Sequence, residues 1–276
     1  TFLEMARKYN LDGYWHDFMD TLHVPCHAAH AHYTSSPGEG YNRCLAAVRD
    51  AVLKWKPDFL IETRMKMSNI NVKQFANVLE TYDMPFDFDL NRGLGVFVKS
   101  FASGVATKLD PVQWHMYESN ENVAKLCATV ALMGIPVFGV DLRLLPKSHV
   151  SVMKGWIKFY REHRQDLIDG EFTPVSFALL FPEFQIRNAR KIFLYIGASS
   201  TAPVNVAECD EIYIVNATDA DRVALILDGI IRGQWHTNTC NCFLETIRSS
   251  DKTIERSSEY LDESIPQGGL LALWKS

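Results

Sequence analysis

Through the first 170 positions the apolar residues alternate between two spacings. Residues 41–55 place Leu45, Val48, Val52 and Trp55 on one helical face, and Lys56-Pro57-Asp58 stops the run. Residues 120–133 do the same with Val123, Leu126, Cys127, Val130 and Ala131, closed by Gly134 and Pro136. Residues 148–169 carry Trp156, Phe159 and Tyr160 and end at Gly170, residues 90–103 are helical, and 71–79 form a short helix. Between these lie brief apolar runs that read as strands: 11–16, opened by Asp12-Gly13, then 59–61, 79–82, 112–116 and 137–140. Strands alternating with helices about five times over predict parallel βαβ units. From Phe172 onward the helical spacing stops, and β-rich runs at 175–181, 192–196, 211–215, 223–227 and 270–274 are separated by turn formers. The reading is an α/β portion over 1–170 and an antiparallel β-sandwich domain over 171–276.

Five βα units are too few to close an eight-unit barrel. Either the first strands precede Thr1, or the sheet is open. Because the chain begins without Met and already close to its first strand, the expectation is a missing N-terminal portion, with any targeting segment in it. The 276 residues are 47% hydrophobic, enough for a large core. The net charge of −5, from 28 basic and 33 acidic residues without a dense basic cluster, points away from nucleic acid and from membrane surfaces. The six cysteines lack C-x-x-C spacing, so neither a zinc ribbon nor a disulfide framework is expected, and Cys240 and Cys242 read as ordinary β-domain residues. Asn216-Ala217-Thr218 fits a glycosylation sequon.

The chemistry lies in where the acids fall. Asp17, Glu62, Asp83 and Asp141 each end an inferred strand, with Asp87 and Asp110 close by. In a parallel barrel that end is where reacting groups are placed. Two carboxylates across such a mouth can cleave a glycosidic bond, one attacking the anomeric centre and the other protonating the leaving oxygen. Trp15, Tyr82, Trp114 and Tyr117 belong to the same loops, where they either stack on sugar faces or pack in the core. A different chemistry is open through His27, His30 and His32. The His30-x-His32 spacing lets two imidazoles bind one metal, with Asp141 completing the set as in metal-dependent amidohydrolase barrels.

The run Asp12-Gly13-Tyr14-Trp15-His16-Asp17-Phe18 resembles the nucleophile strand of the α-galactosidase-like glycoside hydrolases, family 36 and its melibiase relatives. Lys56-Pro57-Asp58-Phe59-Leu60-Ile61-Glu62 resembles that family's next strand, and Tyr82-Asp83-Met84-Pro85-Phe86-Asp87 with Asn91-Arg92 resembles its acid/base motif. The helix from Trp156 to Arg164, followed by Leu167 and Gly170, is similar to the one that closes the family's barrel before its C-terminal β domain. The resemblance implies a partial (β/α)8 barrel followed by a β-sandwich. It also implies a retaining α-glycosidase with Asp17 as nucleophile and Asp83 as acid/base, a carbohydrate substrate and no cofactor or metal. Trp15, His16, Glu62, Arg64, Asp87, Arg92, Trp114 and Asp141 follow as substrate-binding residues. Two departures stand out: Tyr82 where the family has Ser, and Thr63-Arg64-Met65-Lys66-Met67 where it has a Gly-rich, Cys-containing segment. A barrel that has lost activity and only binds carbohydrate is the non-catalytic alternative. Asp83 is preferred to Asp87 because Pro85 ends the strand at the mouth and leaves Asp87 to cap the next helix. Retention requires the two carboxyl groups to sit about 5–5.5 Å apart, against roughly 6.5–9.5 Å for inversion.

Overall fold

Strands β1 (Gly13–His16), β2 (Leu60–Arg64), β3 (Val78–Glu80) and β4 (Ala106–Lys108) pair in parallel, in chain order. The computed structural model describes every residue of the chain except 19–24, 26, 28, 30–32, 65–67, 176–179 and 199–202. Helix α1 (Phe2–Lys8) precedes β1, α2 (Pro37–Trp55) connects β1 to β2, a 3-10 turn at Val72–Phe75 connects β2 to β3, and α3 (Phe88–Phe101) connects β3 to β4. Helices α4 (Asn120–Met133) and α5 (Lys147–Asp169) follow. The starts are locally encoded: Ser36 accepts the Glu39 N–H ahead of Pro37 in α2, and Ser119 accepts the Asn122 N–H in α4. Gly134 ends α4 at φ 154°, and a Cβ there would fall onto the carbonyl of Thr107, so helix and β4 meet at a point only glycine allows.

Parallel register decides which side chains share a face. Trp15 pairs with Glu62, Glu62 with Val78, and Val78 with Ala106; one step on, Arg64 pairs with Glu80 and Glu80 with Lys108. One face of the sheet is thus lined by charges and an indole. The opposite face is apolar: Phe59 and Ile61 pack with Ala6 and Val52 of α1 and α2, and Leu79 packs with Val98 and Ala102 beside α3. The strand expected at 112–116 forms earlier, as β4. Pro111, lacking an N–H, interrupts the ladder, after which Val112 makes only an isolated parallel bridge to Phe138. That bridge is all that forms of the strand expected at 137–140.

Beyond α5 the regular elements among the described residues are all strands. A seven-stranded sheet has the order β12-β11-β14-β9-β7-β6-β5, and a three-stranded sheet the order β13-β10-β8. Their ranges are β5 (Glu171–Pro174), β6 (Glu183–Asn188), β7 (Lys191–Ile196), β8 (Pro203–Asn205), β9 (Glu211–Asn216), β10 (Val223–Asp228), β11 (Gly233–Cys240), β12 (Thr246–Ile254), β13 (Ser258–Glu263) and β14 (Leu270–Lys275). Both sheets are mixed rather than wholly antiparallel, because β7 pairs with β9, and β8 with β10, in parallel. The run expected at 175–181 is replaced by β5 and β6 on either side of it, and residues 176–179 within it lie outside the described residues.

The seven-stranded sheet has no solvent face at its centre, which explains its unbroken apolar runs. Phe193, Tyr195, Val215 and Leu270 point at α4 and α5, where Trp156, Phe159, Leu126 and Val130 join them in the largest buried cluster. Their neighbours Ile192, Leu194, Ile212, Ile214, Leu271 and Leu273 point the other way, onto Val204, Leu225, Leu227 and Leu261 of the three-stranded sheet. Asn216 belongs to this packing rather than to a glycan attachment point. It is fully buried, its amide donates to the carbonyls of Ala220 and Ile265, and its carbonyl oxygen accepts from Thr218.

Candidate active site

The charged face of the parallel sheet opens, at the carboxyl ends of the strands, into a cavity of about 320 Å³ lined by Trp15, Arg64, Glu80, Asp83, Pro85, Lys108, Asp110, Pro111 and Gln113. Arg64, the last residue of β2, lies at its centre. One terminal nitrogen donates to Asp17 Oδ2 at 3.2 Å; the other donates to Asp110 Oδ1 at 3.2 Å and makes a close ion pair with Asp83. Asp17 and Asp83, which follow β1 and β3, therefore meet on one guanidinium. Two hydrogen bonds and the width of that group set the upper limit on how far apart their bonded oxygens lie. Asp83 is 55% exposed at the rim, whereas Asp17 is partly covered. Trp15 is 49% exposed, with the guanidinium of Arg64 5.2 Å and the ammonium of Lys108 5.8 Å from its ring.

Below this rim sits a second charged set. Lys108 Nζ donates to Glu62 Oε1 at 2.6 Å and lies 3.2 Å from Glu80 Oε1. Glu80 Oε2 is buried without a donor among the described residues. A carboxylate so placed is costly, and a proton on Glu80 resolves the cost by donating to Glu62. In accord with this, burial first and the neighbouring Glu62 second push the Glu80 carboxyl up from 4.5 to about 7. Folding then takes up a proton between those values. Stability contributed by this site is present below about 4.5 and is lost as pH rises through about 7. The thermal midpoint is expected to fall from pH 5 to pH 7.5, and Glu80→Gln, which keeps the donor to Glu62, is expected to flatten that slope. An equal slope in the variant would locate the proton elsewhere.

A buried polar network fixes the rim. The Thr81 hydroxyl accepts from the Asp110 N–H at 2.7 Å and donates to Asn91 Oδ1 at 3.1 Å, while the Asn91 amide returns to the Asp110 carbonyl at 3.2 Å. Asp110 Oδ2 accepts the Met84 N–H at 2.9 Å, which ties the loop bearing Asp83 to the loop after β4. Glu80 and Lys108 are not among the site residues expected from the sequence, and Asp110 is named there only as an acid close to the strand ends. The signal for Glu80 and Lys108 is a charge inside a short β-rich run, which marks a strand with a polar inner face.

Several expected site residues lie elsewhere. His16 occupies the opposite face of β1 from Trp15 and lies tilted against Tyr14, ring centroids 4.3 Å apart, and burial pushes its imidazole below the usual value. Trp114 is buried; its indole N–H donates to His149 Nδ1 at 3.2 Å, which leaves the Nε2–H of that ring to donate to the Glu118 carbonyl. Arg92 turns away from the mouth, donating to Asp89 at 2.7 Å and to the Phe181 carbonyl at 3.3 Å. Asp87 caps α3 by accepting the Leu90 N–H. Asp141 is held by the side chain of Arg143 through both carboxylate oxygens, and that pairing lowers its pKa. Glu62 is in the lower charged set rather than on the cavity wall. His27 is exposed, and His30 and His32 lie outside the described residues. Among the described residues, no group of three or more His, Cys, Asp or Glu side chains is placed to hold a metal ion, and no helix is long and apolar enough to cross a membrane.

The sequence matches no family model, and no curated protein matches it in sequence. Its fold is similar to solved glycoside hydrolases. An α-amylase from Anoxybacillus aligns with 99% of the chain and 61% of its own length, at a TM-score of 0.53 and 11% identity. An α-amylase from Geobacillus thermoleovorans, solved with acarbose, aligns with 99% of the chain and 62% of its own length, at 0.53 and 12%. A family 36 α-galactosidase from Geobacillus stearothermophilus, solved with raffinose, aligns with 92% of the chain and 34% of its own length, at 0.51 and 13%. The chain thus spans between about a third and three fifths of these proteins, and at such identities the likeness establishes a glycoside-hydrolase-like fold and nothing finer.

Proposed function

We propose that this chain carries the reacting carboxylates of a retaining α-glycoside hydrolase of the α-galactosidase type, with Asp17 as nucleophile and Asp83 as acid/base. The observation that carries the reading is the convergence of the two on Arg64, which lines an open cavity together with Asp83, while Asp17, which is not on the cavity wall, reaches the site through that guanidinium. In the first step an Asp17 oxygen attacks the anomeric carbon, the bond to the leaving oxygen breaks, and the proton on Asp83 passes to that oxygen. In the second, Asp83 takes a proton from water, the hydroxide adds at the same carbon, and the ester to Asp17 opens with net retention. Proton donation needs Asp83 free of Arg64. The same guanidinium nitrogen already has Asp110 within reach, so Arg64 keeps Asp17 and Asp110 as partners when Asp83 lets go. Trp15 offers an exposed ring face on which a sugar can stack.

A second reading gives the proton to Glu80, which lines the same cavity and whose carboxyl is held up to about 7. The leaving group separates the two. An aryl glycoside with an acidic phenol needs little protonation, so a variant of the true acid keeps its glycosylation rate on that substrate and loses it on alkyl glycosides.

The test is a panel of aryl α- and β-glycosides, with the anomer first released followed by NMR. Hydrolysis of an α-glycoside to the α-sugar is expected. First release of the β-sugar would overturn retention, and inactivity across the panel would favour the non-catalytic barrel.

A further inference from the structure

Outside the cavity, the two loops that form its rim also carry an exposed column of rings. Phe86 and His115 stack at 5.6 Å with planes 21° apart, and His115 and Tyr117 at 5.1 Å and 7°. Phe86 is 53% exposed and Tyr117 80%. These rings are not on a loose tip. Between His115 and the cavity-lining Gln113, Trp114 is anchored in the core by His149; the Gln113 N–H donates to the Pro85 carbonyl at 2.9 Å, and the Glu118 N–H closes a turn onto the His115 carbonyl at 3.0 Å. Exposed aromatic rings held rigid are a cost to the free protein that a ligand can remove. The column continues the cavity: Phe86 follows Pro85, and His115 lies two residues beyond Gln113.

We propose that Phe86, His115 and Tyr117 form a further sugar-binding ledge beside the mouth, so that the substrate is an α-linked oligosaccharide rather than a single sugar on a small aglycone. A pyranose presents a C–H face that packs on a ring and hydroxyls at its rim. The ledge offers both. Stacking uses both faces of His115 and leaves the outer faces of Phe86 and Tyr117 for a sugar, with the Tyr117 hydroxyl and the His115 nitrogens at the edge of the column and the Gln113 amide on the neighbouring cavity wall; for these polar groups the structure gives no side-chain hydrogen bond among the described residues. The inference rests on the glycosidase reading for its orientation, with one end of the oligosaccharide in the cavity and the next units on the ledge.

The test titrates the wild type, Phe86→Ala/Tyr117→Ala and Tyr117→Trp with stachyose, maltotetraose and the methyl α-glycosides of galactose and glucose, following the His115 ring protons by NMR and measuring hydrolysis in parallel. One tetrasaccharide is expected to shift His115. The double variant is expected to lower its affinity and its kcat/KM by about tenfold, the worth of one or two ring contacts, while leaving the aryl monoglycoside rate unchanged. Tyr117→Trp, which keeps an aromatic ring at that position, is expected to bind as the wild type does. A silent His115 with unaltered affinity overturns the ledge even if hydrolysis persists. A shifted His115 without hydrolysis of any substrate keeps the ledge and overturns the hydrolase. No response to either tetrasaccharide overturns the ledge as well.

Discussion

Asp17→Asn is expected to lower turnover of every glycoside the protein hydrolyses by at least about a thousandfold, roughly 4 kcal/mol of transition-state stabilisation, with the fold intact. The amide keeps the shape and can still face Arg64 through its carbonyl oxygen, but it does not form a glycosyl ester. Asp83→Asn is expected to behave differently: slow on alkyl glycosides, faster on aryl glycosides with acidic phenols, and partly restored by azide, which needs no general base. Steady-state kinetics on two leaving groups checks both. A small loss in Asp17→Asn would remove it from the reaction, and a leaving-group effect that appears in Glu80→Gln instead would transfer the proton to the lower pair.

The second large effect is expected at Arg64. Its side chain is nearly buried, and Asp110, one of the carboxylates it meets, is buried too. Arg64→Met leaves Asp110 with the Met84 N–H but without a countercharge, and brings Asp17 and Asp83 face to face without the group between them. A loss of about 3 kcal/mol is expected, the usual cost of breaking a buried pair from one side. The double-mutant cycle with Asp110→Asn is expected to show coupling of about 1 kcal/mol or more, because the second change removes the stranded charge. Chemical denaturation measures both. Additive losses would mean that Arg64 and Asp110 do not hold each other. Arg64→Lys is not expected to substitute, since an ammonium lacks the flat fork that reaches three carboxylates at once.

What the sequence makes legible is governed by period. Helix α5 follows from its apolar spacing and closing glycine, because a one-sided helix must repeat near 3.6, whereas α4, buried on nearly all sides from Val123 to Met133, is marked out by its length and its closing glycine rather than by one apolar side. The strands are harder, and for two different reasons. β7, β9 and β14 stand out because both their faces are buried, whereas β12, exposed along almost all its length, has no apolar signal and exists through pairing with β11. β4 was displaced because Val112, Trp114 and Met116 imitate a strand, while the real one ends at Lys108, before Asp110-Pro111. The site divides in the same way. That acids gather at strand ends is visible from order alone. That Trp15 and His16 face opposite ways is a matter of pleat, which strand alternation does give once the strand is placed. That Arg64, in the segment that departs from the resembled family, becomes the common partner of Asp17, Asp83 and Asp110 depends on register between β1, β2 and β3, which no single strand encodes.

The central claim is that Asp17 bonds to the sugar. The direct measurement is incubation with 2-deoxy-2-fluoro α-glycosyl fluorides of galactose and glucose, in which slow hydrolysis of the ester allows the adduct to accumulate, followed by intact mass and peptide mapping. The expected result is a gain of one fluorosugar, located on the peptide that contains Asp17 and absent in Asp17→Asn. A label on another residue, or none while the same preparation turns over an aryl α-glycoside, would contradict the account.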